Sequence, residues 1–128
     1  MKIYLICPVR NCSEEQSKFA DEYVKALEDE GHEVHYPPRD ADQSDGVGLG
    51  IIDTHRKAMI SCNEVHVFYD KDSLGSHFDL GMAWMLQAIK PLVIKYVVKP
   101  EYTKHKSFAN VLTVLTERRS LVVKEENE

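Results

Sequence analysis

The sequence has no apolar run approaching the ~20 residues that a membrane-spanning helix needs. It has no charged leader with a long apolar core and cleavage site, because Met1 runs directly into an apolar, β-rich stretch. Cysteine is scarce: Cys7, Cys12 and Cys62, an odd number. The one close spacing, Cys7-x4-Cys12, fits neither a redox pair nor a zinc ribbon. Free thiols in a reducing compartment follow, so a cytoplasmic protein without membrane contact is expected.

Positive charge is also in short supply. Sixteen Lys and Arg stand against twenty-one Asp and Glu, a net charge of -5. A nucleic-acid polymer is therefore not an expected partner, since its binders carry a basic face. A small anionic ligand stays open, because it needs only a local cluster of donors. No metal-ligand cluster is visible. His32 and His35 fall on opposite faces of one strand, and His66 and His77 are isolated. The stretch Asp40 to Gly46 imitates a calcium loop, but the sixth position is Asp45 rather than Gly and the twelfth is Ile51 rather than Glu. Gly46-x-Gly48-x-Gly50 does not follow the first strand, so it is no dinucleotide fingerprint. It reads as an approach to a helix, with capacity for motion.

What is present is an alternation of short apolar runs and amphipathic segments. With 128 residues and 43% apolar content, the chain fits one domain, 1–128, burying roughly two thirds of its unfolded surface. Residues 2–7 read as a buried strand ended by Pro8. Residues 14–30 read as a helix capped by Ser13, with Glu14 and Glu15 at the positive end of its dipole and Gly31 at its close. A strand over 32–36 ends at Pro37-Pro38, and 39–50 reads as loop. A helix over 51–62 carries Ile51, Ile52, His55, Ala58 and Met59 on one side. Strand 64–69, turn 70–75, helix 76–90, strand 91–98, helix 105–118 and a short strand 120–123 complete the order, before an acidic tail. Such alternation predicts an α/β fold: a doubly wound parallel five-stranded sheet, order 2-1-3-4-5, with helices on both faces. Its crevice opens beyond the carboxyl ends of strands 1 and 3.

Two loops line that crevice in this topology: Cys7 to Asn11, with Pro8 and Arg10, and Asp70 to Ser76. Ser73, Gly75 and Ser76 are small and precede a helix N-terminus, where backbone N–H groups and the dipole favour an anion. Arg10 offers a planar two-pronged donor from the facing loop. These suit a phosphate or a set of sugar hydroxyls. Gly75 as a plain turn and Ser76 as a plain helix cap are the simpler alternative. Ser76-x-x-Asp79 has capping-box spacing, so Asp79 is either a capping carboxylate or an ionised group facing the crevice. In the second case it suits a nucleophile for an oxocarbenium-like centre. Asp70 is a second acid at the same mouth, placed to position a base or assist proton transfer. Arg39 and Asp40, next door, are candidates for contacting a nucleobase. Cys7 has no evident base partner and reads as packing.

Pro8-Val9-Arg10, Gly31-His32-Glu33-Val34 and above all Gly75-x-x-x-Asp79-Leu80-Gly81-x-Ala83 resemble the nucleoside 2-deoxyribosyltransferase family, which includes nucleoside 5'-monophosphate N-glycosidases. The resemblance covers nearly the whole chain. It implies a flavodoxin-like fold and attack of a carboxylate on C1' of a nucleoside sugar, without a cofactor. By position it assigns the nucleophile to Asp79 and the 5'-phosphate to Arg10, Ser73 and Ser76. The family's nucleophile is usually Glu. Asp79 sets the carboxylate back by roughly 1.5 Å, one carbon–carbon bond, and a misplacement of about 1 Å can cost ~100-fold in rate. The alternative is a nucleotide-binding sensor or accessory module that does not catalyse. A flavin-binding electron carrier fits less well, because the first loop lacks a Ser/Thr-rich phosphate cradle.

Helix 76–90 is apolar almost all round, with Phe78, Leu80, Met82, Trp84, Met85 and Ile89 among its residues. One sheet cannot cover every face of it, so a homo-oligomer packed through this helix is expected.

Overall fold

The computed structural model describes residues 1–10, 12–41, 44 and 46–114. Their order is β1 (Lys2–Ile6), α1 (Glu14–Asp29), β2 (Glu33–His35), α2 (Pro37–Asp40), α3 (Leu49–Ser61), β3 (Glu64–Phe68), α4 (Leu74–Gln87) and β4 (Val93–Val98). Residues 108–114 are also helical. The four strands form one parallel sheet in the order β2-β1-β3-β4. The expected strand at 120–123, which was to be the fifth, lies outside the described residues.

β1 is the central apolar strand that its composition indicates, with Ile3 to Ile6 all buried. The pleat sorts its side chains between two cores. Ile3, Leu5 and Cys7 pack with Ala20 and Val24 of α1. Tyr4 and Ile6 pack on the other face with Met59 of α3 and with Leu80 and Ala83 of α4. The same alternation in β3 puts Val65 and Val67 on the α3/α4 side. Helices therefore cover both faces, and Tyr4 is directed toward α3 and α4.

α1 begins as its sequence indicates. Gln16 N donates to Ser13 Oγ (3.0 Å) and Ser13 N donates to Gln16 Oε1 (2.8 Å), a full capping box. Gly31 follows the helix with φ +95°, a left-handed geometry that glycine adopts without strain.

Several boundaries differ from expectation: α4 ends at Gln87 rather than 90, β4 begins at Val93 rather than 91, the last helix begins at 108 rather than 105, and three further shifts bear on the site. Pro37 to Asp40 is a helical turn rather than the start of a loop, because Pro37 presets the helical φ and Asp40 Oδ2 accepts the Tyr36 N–H (2.8 Å). α3 starts two residues early at Leu49, behind a left-handed Gly48. α4 also starts early, at Leu74. Ser73, not Ser76, is its cap: Ser73 Oγ accepts the Ser76 N–H (3.2 Å). The capping-box reading of Ser76 and Asp79 therefore fails, and Asp79 lies too deep in the helix to cap it.

Candidate functional site

A cleft of about 680 Å³ opens beyond the carboxyl ends of β1 and β3. This is where a doubly wound sheet switches the side to which its crossovers run, so two loops part there. Val9 and Arg10 border the cleft from the loop after β1. Leu49, Ile51, Ile52 and Phe78 give it apolar walls. Ser73, Gly75 and Ser76, at the start of α4, stand at one end.

Asp79 lines this cleft and is only 4% exposed. Burying a carboxylate is costly unless it is compensated, and here one oxygen is compensated more fully than the other. Tyr4 OH donates to Oδ2 at 2.9 Å. His55 Nδ1 lies 3.4 Å from the same oxygen, within ion-pair distance but without hydrogen-bond geometry. Oδ1 is buried and has no hydrogen-bond partner among the described residues. The carboxylate is thus fixed through one oxygen and uncommitted through the other.

Aromatic rings fix this arrangement from behind. The Tyr4 ring stacks on His35 of β2 with centroids 5.1 Å apart. The His55 ring stands edge-on to both, at 6.0 Å from each. Burial, reinforced by the charge of Asp79, pushes the Tyr4 phenol far above its ordinary range, so it stays protonated as a donor. Burial pulls His35 down, toward the neutral imidazole. Burial also pushes the Cys7 thiol up to about 12, which keeps it protonated and inert beside the cleft.

The expected site residues divide into two groups. Arg10, Ser73, Gly75, Ser76 and Asp79 come together around the cleft. Pro8, Arg39, Asp40 and Asp70 are not among its lining residues. Pro8 borders a second hollow, beside Cys12 and Phe19. Arg39 is turned away from the cleft by a fork of bonds. Its Nη1 donates to Glu28 Oε1 (2.8 Å), its Nε to Asp40 Oδ1 (2.8 Å) and its Nη2 to the Val34 carbonyl (3.0 Å). Burial alone raises the Asp40 carboxyl, but Arg39 and the Tyr36 N–H outweigh it and hold Asp40 below the usual range. Through Arg39 this pair fastens β2 to α1. Asp70 forms a turn, accepting the Asp72 N–H at Oδ1 (2.9 Å), and its Oδ2 accepts from Gln16 Nε2 (3.4 Å).

Tyr4 and His55 are the residues the sequence reading did not assign to the site. Tyr4 carries a hydroxyl in an otherwise aliphatic buried strand, and His55 is a titratable group on the apolar side of α3. Each is a polar atom in a place that demands a partner.

No protein-family profile matches the chain, and a search of curated proteins gives no significant match. Comparison with solved structures does find similar ones. The 2-deoxyribosyltransferase of the psychrotolerant bacterium Bacillus psychrosaccharolyticus superposes with a TM-score of 0.63 at 21% identity, over 80% of this chain and 77% of that one. The CMP N-glycosidase of Clostridium botulinum gives a TM-score of 0.49 at 17% identity, over 90% of this chain and 99% of that one. Among the described residues no helix is long and apolar enough to cross a membrane. The parallel sheet, the crossovers to both faces and the cleft at the β1/β3 mouth thus belong to a chain that shares the fold of a bacterial 2-deoxyribosyltransferase.

Proposed function

We propose that this protein is a member of the nucleoside 2-deoxyribosyltransferase family. In this reading it cleaves or transfers the N-glycosidic bond of a nucleoside or, more specifically, a nucleoside 5'-monophosphate. The observation that carries the reading is Asp79: a buried carboxylate in a cleft wall, held through Oδ2 by Tyr4 and left without a partner at Oδ1. Nucleophilic attack at a sugar carbon needs an ionised carboxylate with one oxygen fixed and one available.

In the proposed reaction Asp79 Oδ1 forms a bond to C1', the bond from C1' to the base nitrogen breaks, and its electron pair leaves with the base. The glycosyl ester then passes to a second base or to water, and the carboxylate is regenerated. The chemistry is carboxylate and proton only, so no cofactor is invoked. The apolar walls from Leu49, Ile51, Ile52 and Phe78 suit the flat faces of a base and sugar. Arg10 and the first turn of α4, with Ser73, Gly75 and Ser76, suit a 5'-phosphate. The shorter reach of Asp79 relative to Glu requires the sugar to sit deep, against the floor that Asp79 forms with His55.

The outer side of α4 supports assembly with a second copy. Leu80 and Ala83 face the core, whereas Leu74, Phe78, Trp84 and Met85, with Ile89 just beyond the helix end, remain exposed. A self-associating protomer buries this stripe and also closes over the cleft edge at Leu74 and Phe78. Trp84→Glu is expected to shift sedimentation from dimer or larger to monomer; an unchanged monomer in the unsubstituted protein contradicts this contact. All three cysteines are free thiols, in keeping with a reducing, cytoplasmic setting.

The test is base release, followed by chromatography, from nucleosides and 5'-monophosphates in ribo and deoxy forms, with and without an acceptor base. Release from the monophosphates is the expected result, and an exchanged base marks a transferase. Arg10→Ala is expected to raise KM for monophosphates by roughly fivefold and leave nucleosides unaffected, because an exposed ionic contact is worth about 1 kcal/mol. Nucleotide binding without any base release means a sensor or accessory module instead.

A further inference from the structure

The proposed cleavage leaves one proton to be assigned. A departing base leaves as an anion unless a group in the cleft protonates it. Asp79 must be ionised to attack, so it cannot serve. Asp70 is committed to its turn and to Gln16, outside the cleft lining. The Tyr4 hydroxyl is committed to Asp79 and is a very weak acid there. The Cys7 thiol is buried and equally unsuited. His35 lies behind the Tyr4 ring and is not a lining residue. Asp72 does line the cleft, but it is exposed, next to Ser73 at the start of α4 and away from the buried floor at Asp79.

His55 meets the requirement. It lines the cleft and is 7% exposed. Its Nδ1 is 3.4 Å from the oxygen of Asp79 that Tyr4 also holds. Neither of its ring nitrogens has a hydrogen-bond partner among the described residues. A buried imidazole with two unsatisfied nitrogens is costly in an otherwise apolar helix face, and such a group calls for an explanation. A ligand in the cleft supplies one.

We infer that His55 carries the proton that leaves with the base, so that the Asp79–His55 pair stays electrically neutral through both halves of the reaction. The inference rests on the glycosidic reading above. At the start the pair is carboxylate and imidazolium. As Asp79 Oδ1 bonds to C1', the electron pair of the breaking bond goes to the base nitrogen, which takes a proton from His55. Ester, imidazole and base are then all neutral. In the second half, water or an acceptor base attacks C1', gives its proton to His55, and the ester's electron pair returns to Asp79. A buried site disfavours an uncompensated charge, and this sequence never creates one. The other titratable groups near the imidazole, from every element packed on it, are Asp79 of α4, Tyr4 of β1 and His35 of β2, with Cys7 just beyond β1.

The experiment compares two substrates: a nucleotide, and a 4-nitrophenyl riboside 5-phosphate whose leaving group departs without a proton. With the unsubstituted protein, kcat/KM for the nucleotide is expected to fall as rising pH removes the imidazolium proton, and the nitrophenyl substrate is expected to lack that limb. His55→Gln is expected to lower kcat/KM for the nucleotide by about 10²–10⁴-fold, the usual worth of a general acid, and to spare kcat/KM for the nitrophenyl substrate, whose leaving group departs before the water attack that His55 assists. Asp79→Ala loses both. Identical pH dependence on the two substrates, or equal losses on both in a folded His55→Gln protein, overturns the inference alone. Failure of the unsubstituted protein on both substrates overturns the glycosidic reading itself and this inference with it. The pH profile needs no variant, so the test stands even if His55→Gln does not fold.

Discussion

Asp79→Ala is expected to reduce base release to background, a loss on the order of 10⁴-fold or more, as when other covalent catalysts lose a nucleophile or its partner. The fold is expected to persist. Two stability effects oppose one another in this variant. Tyr4 OH loses its acceptor, which costs about 1–3 kcal/mol. At the same time a buried carboxylate with an unpartnered oxygen disappears, which relieves a desolvation cost. The unfolding midpoint therefore moves little. Asp79→Asn separates chemistry from packing still more cleanly, because it keeps the shape and an acceptor for Tyr4 but is no nucleophile. Turnover retained in either variant, measured by chromatography of the released base, contradicts the assignment of Asp79.

Tyr4→Phe is expected to lower kcat by about 10–150-fold with little change in KM, corresponding to the roughly 1.5–3 kcal/mol of a hydrogen bond to a charged group. The phenol donates to Asp79 Oδ2, and in the proposed reaction this leaves Oδ1 to face C1'. Without it the carboxylate can rotate, and binding of the sugar and base, which depends on the cleft walls, is unaffected. The Tyr4 ring keeps its stacking on His35, so the loss reports the hydroxyl rather than the core. A change confined to KM contradicts a positioning role for Tyr4.

The sequence makes the frame of this site legible, because the frame is local. The Ser13 cap, the acidic first turn of α1 and the closing Gly31 are decisions taken within four residues, and the structure shows each of them. The alternation of strands and helices indicates a parallel sheet, and the crevice follows from topology. Asp79 illustrates the limit of local reading. Its spacing from Ser76 is that of a capping box, but Ser73 reaches Ser76 first and starts the helix earlier, so the carboxylate turns into the cleft wall. Arg39 and Asp40 illustrate what partners distant in sequence add. They follow β2 next to the cleft in sequence order, but Arg39 is bonded to Glu28 of α1 and the Val34 carbonyl of β2, and neither residue lines the cleft. Tyr4 and Asp79 are 75 residues apart, and only the pleat of β1 and the docking of α4 bring them to 2.9 Å. A contact of that kind has no local signature, although a hydroxyl in an aliphatic strand and a histidine on an apolar helix face both mark where a partner is owed.

The proposed reaction requires that Asp79 become covalently bonded to the sugar. The most direct measurement is intact-protein and peptide mass spectrometry after incubation with a 2'-fluoro nucleotide, whose electron-withdrawing fluorine slows breakdown of a glycosyl ester. An added fluoro-sugar phosphate on the peptide containing Asp79, absent in Asp79→Asn, is the predicted result. Normal base release with no adduct, or an adduct on a different carboxylate, contradicts it.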